Sequence, residues 1–556
     1  MNPDPTPSNP RPPRFPRALL LATLPALLAP AAFAQATAPA ASPKPEDEKK
    51  PEAVVLSPFE VRPEEDTGYQ AANTTSGSRL ATSLKDTAAS ISPFTPEFLS
   101  DIAATNVTEM LAYATNAELN AGDAEGAGFN NPRDINSAGG EPFRIRGIPA
   151  NTSVDYVENA APVDFYNIER AEVASGANSI LFGSGDAGGL VSLQTKKAKL
   201  DRSRYSGSMV VGNWDYTRLL TDVNQVIVPK TLAFRLNALY QNAGSWREYV
   251  WGPDQNRYTA GVTYRPFSKT TISASYEDGV SKKSVGLGWN VSDQYTVWNS
   301  TGRSLAETVP ANGAALGLLS YGANQRFTYF GGDGVVYNMR NELRTTTAPT
   351  IPAQTLLSPS IFPYDVNWAG PEVQLHQAFK SSQVVVEQQI IKGLTLQAAW
   401  YKNETDARAR SFVYQGNVMD LLGDPNPTLP AVNGAGTVTN PHARQVYLEA
   451  SQNGDRTMTE NEIKRGTVVY QFDGGRWFGR HGVFGMWENA VQDRNNRSQR
   501  EILVNQNNAP VQNVAAPENA QNLVIRRSYL VEGDTSTYAL RGLYDPITPF
   551  SYLGNT

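Results

Sequence analysis

The 556-residue chain contains no cysteine. That excludes disulfides and thiolate metal sites. Histidine is nearly absent too: His376, His442 and His481 stand far apart, and surface or loop positions are expected for each. H-E-x-x-H, G-x-S-x-G and G-x-x-x-x-G-K-[ST] are missing. Carboxylates are plentiful, but no pair is singled out, so the sequence proposes no enzyme, no cofactor and no metal site. An excess of basic charge is also lacking. Lys and Arg total 48 against 54 Asp and Glu, a net charge of -6, and no nucleic-acid footprint is indicated. Beyond the first 34 residues no apolar run is long enough for a membrane helix. Any crossing of lipid would have to use strands, since only helices and closed barrels satisfy their backbone there.

What is present is aromatic: 24 Tyr, 20 Phe and 9 Trp, the supply that β-structure uses. The N-terminus reads as an export signal. Arg11, Arg14 and Arg17 precede an apolar run from Ala18 to Ala34 that Pro25 and Pro30 interrupt and that ends on Ala32-Phe33-Ala34. Cleavage is expected after Ala34. Residues 35–53 are Pro, Ala and charge with little to bury, which predicts a disordered linker reaching to about residue 68. Within it lies an apolar island, Val54, Val55, Leu56, Ser57, Pro58, Phe59, Glu60 and Val61. An extended island on a leash suits strand addition to a partner's sheet edge; packing on its own domain is the alternative.

From residue 69 to 199 the texture is mixed α/β. Thr95-Pro96-Glu97 reads as an N-cap followed by a first-turn proline. Asn106-Val107-Thr108-Glu109 resembles a capping box, with Val107, Met110, Leu111 and Ala114 on one face. Short strands are expected at Phe143–Arg146 and Ile168–Ala174. The stretch NSILFGSGDAGGLVSLQTKK carries a literal G-x-G-x-x-G at Gly183, Gly185 and Gly188. A dinucleotide site needs a helix after those glycines. Here Val191, Leu193 and Thr195 alternate with Ser192 and Gln194, which is strand period, so the glycines are expected to join strand to strand.

From residue 200 to 556 long alternating strands dominate. Leu232, Phe234, Leu236, Ala238 and Tyr240 share one face, and Arg235, Asn237 and Gln241 the other. Tyr258, Ala260, Val262 and Tyr264 oppose Arg257, Thr259, Thr263 and Arg265 in the same way. Similar strands are expected at 271–277, 394–402, 466–472, 483–489 and 537–544. Lengths near ten residues, Tyr near strand ends, and short turns alternating with long loops favour a membrane barrel over a soluble sandwich. The longest connection, from Gly279 to Gln383, is rich in aromatics. Trp289, Tyr329 and Trp368 in it are candidate ligand contacts; packing within the loop itself is the alternative.

Taken together, signal, island, α/β segment and alternating strands resemble the TonB-dependent outer-membrane receptors. The island resembles their energy-coupling box. Phe143-Arg144-Ile145-Arg146-Gly147 resembles the I-R-G motif of their plug domain. The run that begins Tyr166-Asn167-Ile168-Glu169-Arg170-Ala171-Glu172 and passes Gly183, Gly185, Gly188 and Gly189 resembles the plug's closing segment. The resemblance implies a transmembrane antiparallel β-barrel with a small α/β N-terminal plug, sited in a bacterial outer membrane with its N-terminus periplasmic. It implies energy-coupled uptake of an iron chelate, cobalamin or glycan, with a periplasmic TonB-type protein as partner. A passive or adhesive surface barrel and a non-transporting remnant are the alternatives. Two departures stand out: Ser175 where the family usually has Arg, and Ala177 where it has Pro. Arg144, Arg146 and Arg170 remain, and are expected to pair with barrel carboxylates such as Glu277. The residues after Lys199 are too few for about 22 strands, and the final SYLGNT lacks the usual terminal aromatic strand. The barrel is therefore expected to be incomplete, as if truncated at its C-terminus.

Overall fold

The structure is a computed structural model. It describes residues 57, 59, 66–76, 80–87, 89–119, 143–158, 161–176, 187–284, 292–293, 299, 302–303, 318–330, 335–345, 363–367, 370–371, 373–413, 420–430, 437–475, 479–510, 515 and 522–538. The expected export signal lies outside them, as does nearly all of the linker.

The N-terminal part is α/β. Its strands are β1 (Asn73–Thr74), β2 (Thr82–Ser83), β3 (Ile91–Phe94), β4 (Ala117–Leu119), β5 (Phe143–Ile145), β6 (Ile148–Pro149), β7 (Asn151–Val154), β8 (Val157–Glu158), β9 (Ile168–Ser175) and β10 (Gly189–Thr195). The central sheet runs β3-β9-β10-β7-β8, with β10 and β7 parallel and the other pairs antiparallel. Helix α1 (Pro96–Asp101) starts where Thr95 accepts from the Phe98 N–H, with Pro96 in the first turn. Helix α2 (Val107–Leu111) is capped by Asn106, which accepts from the Glu109 N–H at 3.0 Å. The expected box closes one residue early: the Glu109 carboxylate takes the Thr105 N–H at 2.6 Å, not that of Asn106. These helices cover Phe94, Leu99, Met110, Leu111, Ile145, Val173, Val191 and Leu193, an apolar core. Each such side chain contributes about 1.5–3 kcal/mol by leaving water.

The strand-rich part has the opposite polarity. It is built from β11 (Arg204–Val211), β12 (Thr217–Val228), β13 (Leu232–Asn242), β14 (Asp254–Phe267) and β15 (Thr270–Ser284). Next are β16 (Ser292–Asp293), β17 (Leu318–Phe330) and β18 (Val335–Thr345). Then come β19 (Gln374–Ile391), β20 (Leu394–Val413), β21 (Asp420–Gly423), β22 (Thr428–Pro430), β23 (Thr437–Thr439), β24 (Val446–Asp473), β25 (Arg480–Arg500) and β26 (Val524–Leu530). Long antiparallel pairs run from β11 through β15 to β19, β20, β24 and β25. On β13 the apolar residues Phe234 and Leu236 are 49% and 43% exposed, while Asn237 is 1% exposed. On β14 Tyr258 is exposed, whereas Arg257 and Thr259 are buried. Apolar outside and polar inside is the arrangement of a sheet whose outer solvent is lipid. No helix among the described residues is long and apolar enough to cross a membrane.

Chain reversals follow the same plan. Turns after β14 and β19 are tight, and Gly393 in the second sits at φ +85, where a side chain would strain. Long connections leave the other end. The expected connection from Gly279 to Gln383 is shorter than the sequence suggested, since β15 continues to Ser284 and β19 begins at Gln374. It also contains the β17–β18 hairpin, which joins the main sheet by parallel pairing of β17 with β26. Among the described residues β11 pairs only with β12 and β25 only with β24, so the sheet is not closed.

Candidate plug and barrel-wall interface

The glycine run joins strand to strand. Gly189 stands opposite Ser175 in the antiparallel β9–β10 pair. It has φ +146, and a Cβ there would collide with the Ala174 carbonyl oxygen. A Cβ on Gly188 would meet the carbonyl oxygens of Ile148 and Pro149. Close backbone packing thus accounts for both glycines. Gly183 and Gly185 lie outside the described residues.

The plug arginines do not face the wall as expected. Arg144 is exposed on β5, and Arg146 turns the chain with φ +57 next to Gly147 at φ +74. The expected strand therefore stops at Ile145, whose side chain is buried. Arg170 is fully buried inside the plug, donating to the Asn73 carbonyl at 2.8 Å and pairing with Asp66. Beside it Glu172 accepts from Thr74 Oγ1 at 2.8 Å and the Ser76 N–H at 3.1 Å. Burial pushes the Glu172 carboxyl above the usual carboxylate range, against those hydrogen bonds and Arg170, and lowers Arg170. Together these groups hold residues 66–76 against β9. Nearer the N-terminus, the Phe59 N–H donates to Ser57 Oγ at 3.1 Å. Phe59 is buried with Leu80, Val469 and Phe484. Val54, Val55, Leu56, Pro58, Glu60 and Val61 lie outside the described residues.

Glu277 has other partners than the expected arginines. The wall's own Arg257 pairs with it at 2.7 Å, and from the plug Tyr166 Oη donates to it at 2.9 Å. Asn167 reaches Thr259 Oγ1 at 3.0 Å. The reason is reach and register. Arg257 stands on the neighbouring strand, diagonal to Glu277, while Arg170 is enclosed by residues 66–76. Burial, and then Glu277, push the Tyr166 phenol well above its ordinary range. The Arg257 guanidinium lies over the Tyr166 and Phe379 rings at 5.1 and 4.6 Å and donates to the Pro162 carbonyl at 2.8 Å.

Two wall arginines, Arg218 and Arg235, meet plug carboxylates, the reverse of the expected sense, while Lys196 of the plug reaches Asp222 of the wall at 3.1 Å. Arg218 forms a two-pronged pair with Asp164 at 2.6 and 2.9 Å, both side chains almost fully buried. Arg235 reaches Glu169 at 3.3 Å, and Lys199 reaches it at 3.1 Å. Gln383 donates to Asp155 at 3.1 Å, and Arg465 to the Tyr156 carbonyl at 2.9 Å. A cavity of about 50 Å³ remains between plug and wall, bordered by Asp155, Asn167, Glu277 and Gln383. That is room for water, not for a chelate. Sequence reading placed Arg235 and Arg257 on polar strand faces but missed Arg218 and Asp164 as partners. Arg218 is the second residue of β12 and Asp164 caps the turn before β9, so neither stood out by strand period.

Of the candidate ligand contacts, Trp289 and Trp368 lie outside the described residues. Tyr329 stands on β17, opposite Val336 and in register with Arg526 of β26. Among the described residues no group of three or more His, Asp or Glu is placed to hold a metal.

Residues 83–190 match the family model of the TonB-dependent receptor plug domain. The chain is 28% identical over 187 residues to the metal-pseudopaline receptor CntO of Pseudomonas aeruginosa, covering 33% of this chain and 25% of that protein. It is 24% identical over 249 residues to the ferripyoverdine receptor of the same organism, covering 43% and 28%. The fold is similar to a solved structure of P. aeruginosa FpvA bound to a heterologous pyoverdine. That likeness has a TM-score of 0.54 at 14% identity, covering 80% of this chain and 47% of that one. The matched region thus spans about a quarter of the curated relatives and about half of the solved receptor. Residues 83–190 are thus a plug domain of the TonB-dependent receptor type, seated against an antiparallel wall that is polar inside and apolar outside.

Proposed function

We propose that the protein is an outer-membrane receptor that takes up a metal chelate by energy coupling. What supports this most is the seating of a folded plug on the lumenal face of the wall through ion pairs and hydrogen bonds. The plug blocks passage, and its N-terminal segment is the handle by which it is moved. In this reading Val54, Val55, Leu56, Ser57, Pro58, Phe59, Glu60 and Val61 add as a strand to a periplasmic TonB-type partner. Phe59 must first leave its contact with Leu80, Val469 and Phe484. Residues 1–34 are removed on export, residues 35–68 form the leash, 69–199 the plug and 200–556 wall and loops. The ligand binds from outside, with Trp289, Tyr329 and Trp368 as contacts, and no bond in it is broken. A chelate of the siderophore type is the favoured class because the similar proteins are named for metal-pseudopaline and ferripyoverdine.

The test uses cells bearing the full chain or a chain lacking residues 54–61, offered radioiron-loaded pyoverdine and metal-loaded pseudopaline. Both cell types are expected to bind the chelate at the surface, and only the first to accumulate it. Accumulation by the deletion variant, or accumulation that survives collapse of the proton gradient, would refute coupling. Binding of neither chelate would refute the ligand class.

A further inference from the structure

The hairpin that joins β7 to β8 carries backbone strain at the edge of the plug. Val154 pairs with Val157, which leaves Asp155 and Tyr156 as a two-residue turn. Their φ angles are +48 and +67. A turn of this hand needs positive φ at both central residues, and its usual occupants are Asn or Asp followed by Gly. Asp155 suits the first place. Tyr156 does not suit the second, where a bulky side chain is an outlier. Such a conformation persists only where the surroundings over-determine it.

The wall supplies that hold, and residues 155, 156 and 157 each touch it. Gln383 of β19 donates to Asp155 Oδ2 at 3.1 Å. Arg465 of β24 donates to the Tyr156 carbonyl at 2.9 Å, and Glu488 pairs with that guanidinium at 2.7 Å. Val157 is buried against Val385 of β19 and Ala399 and Tyr401 of β20. On the plug side Asp155 is tied to β10. Its carboxylate accepts from the Thr195 N–H at 3.0 Å and from Thr195 Oγ1 at 2.5 Å. Its own N–H donates to the Leu193 carbonyl at 2.9 Å. One carboxylate thus links the turn, β10 and the wall. Asp155, Val157, Thr195, Gln383 and Tyr401 also border the cavity between plug and wall.

We infer that the Asp155–Tyr156 turn is a sprung latch between plug and wall. Seated against β19, β20 and β24, it keeps a backbone conformation that Tyr156 disfavours. When the plug shifts, Gln383 and Arg465 lose their hold, and the turn relaxes to negative φ at Tyr156. Asp155 then swings off Thr195, and the cavity it borders widens into a gap between the plug and β19 and β20. The strain offsets part of what the wall contacts contribute, so the seat is left more readily. Regained wall contacts reset the turn on return. Glycine at position 156 makes a firmer catch and a slower one. The inference rests on the proposed reading in one respect, that the plug moves during uptake; the strain and its release belong to the seam itself.

The test is hydrogen exchange of the purified full chain in neutral detergent, read on peptides that carry the Asp155 and Thr195 amides. Y156G removes the strain and is expected to slow local opening by about tenfold. Y156N, whose side chain tolerates positive φ, should slow it in the same sense but by less. Y156F keeps both ring and strain and should match the wild type. Q383A removes a wall contact to a carboxylate and should speed opening by about tenfold. The opposite signs carry the idea. Unchanged or faster opening in Y156G and Y156N would mean that the ring merely packs, and overturns the inference. So does a Y156F variant that slows as much as Y156G, which would assign the effect to the hydroxyl. Cells bearing Y156G, offered radioiron-loaded pyoverdine, should bind it like the wild type and accumulate it several-fold more slowly. Unslowed accumulation beside slowed exchange would remove the latch from uptake. If the wild type accumulates none, the coupling reading fails instead, and exchange alone decides for or against the latch.

Discussion

The plug and the wall are made from similar residues arranged in opposite senses. In the plug Leu193, Val191 and Ile145 are sealed inside, while Glu97 and Arg144 face out. In the wall Phe234, Leu236 and Tyr258 face out, and Asn237, Arg257 and Thr259 face in. One alternation can therefore serve two folds, and what differs is the medium on each side. The plug folds by removing apolar surface from water. The wall leaves its apolar surface to lipid and uses its polar face to receive the plug.

This comparison is broken most severely where the two regions meet. R218A leaves Asp164 buried without its two-pronged partner, and loss of one member of a buried pair costs about 3–5 kcal/mol. The expected result is a loosened plug, seen as faster proteolysis between residues 66 and 199 in a still-inserted wall. Wild-type protease resistance would show that the pair does not hold the plug.

Next in size is the contrast between matched substitutions. L193A opens a cavity in the plug and should destabilise it by about 2–5 kcal/mol. L236A exposes a smaller side chain to lipid, creates no enclosed void, and should cost less than half as much on the same principle. Denaturant midpoints of the two variants, followed by a plug-specific and a wall-specific probe, test this. Equal losses would mean that Leu236 is packed and not lipid-facing.

The smallest expected effect is that of pH on the clamp around residues 66–76. Burial raises the Glu172 carboxyl above its unfolded value, so the folded plug favours the protonated form. Its contribution is fully present below the ordinary carboxylate range and is lost as pH rises through the raised value. E172Q carries the neutral form permanently and should make hydrogen exchange in residues 66–76 less pH-dependent. Exchange that speeds equally with pH in both proteins would remove Glu172 from the account.

Much of this was legible because it is local. Thr95-Pro96 and Asn106 cap helices by contacts within three residues. Val191, Leu193 and Thr195 declared a strand by period alone. The outward set on β13 followed from the same rule. What stayed hidden depends on register between distant strands. Nothing near Asp164 names Arg218, and nothing near Glu277 distinguishes Arg257 from Arg170. The β17–β18 hairpin hid within a long aromatic connection because its partner, β26, lies far along the chain. The burial of Phe59 against Val469 and Phe484 was invisible for the same reason.

The polar character of the seam between plug and wall has a mechanical consequence. Two oily surfaces, once parted, would each face water at a cost proportional to their area, and would stick to whatever came next. Here each bond given up by Asp164, Tyr166, Glu169 or Arg257 can be handed to a water molecule as the plug shifts, and handed back on return. On the proposed coupling the seam would behave like a wetted bearing, firm at rest and able to slip, with the small apolar contacts of Phe59 and Val157 on the wall as its sticking points.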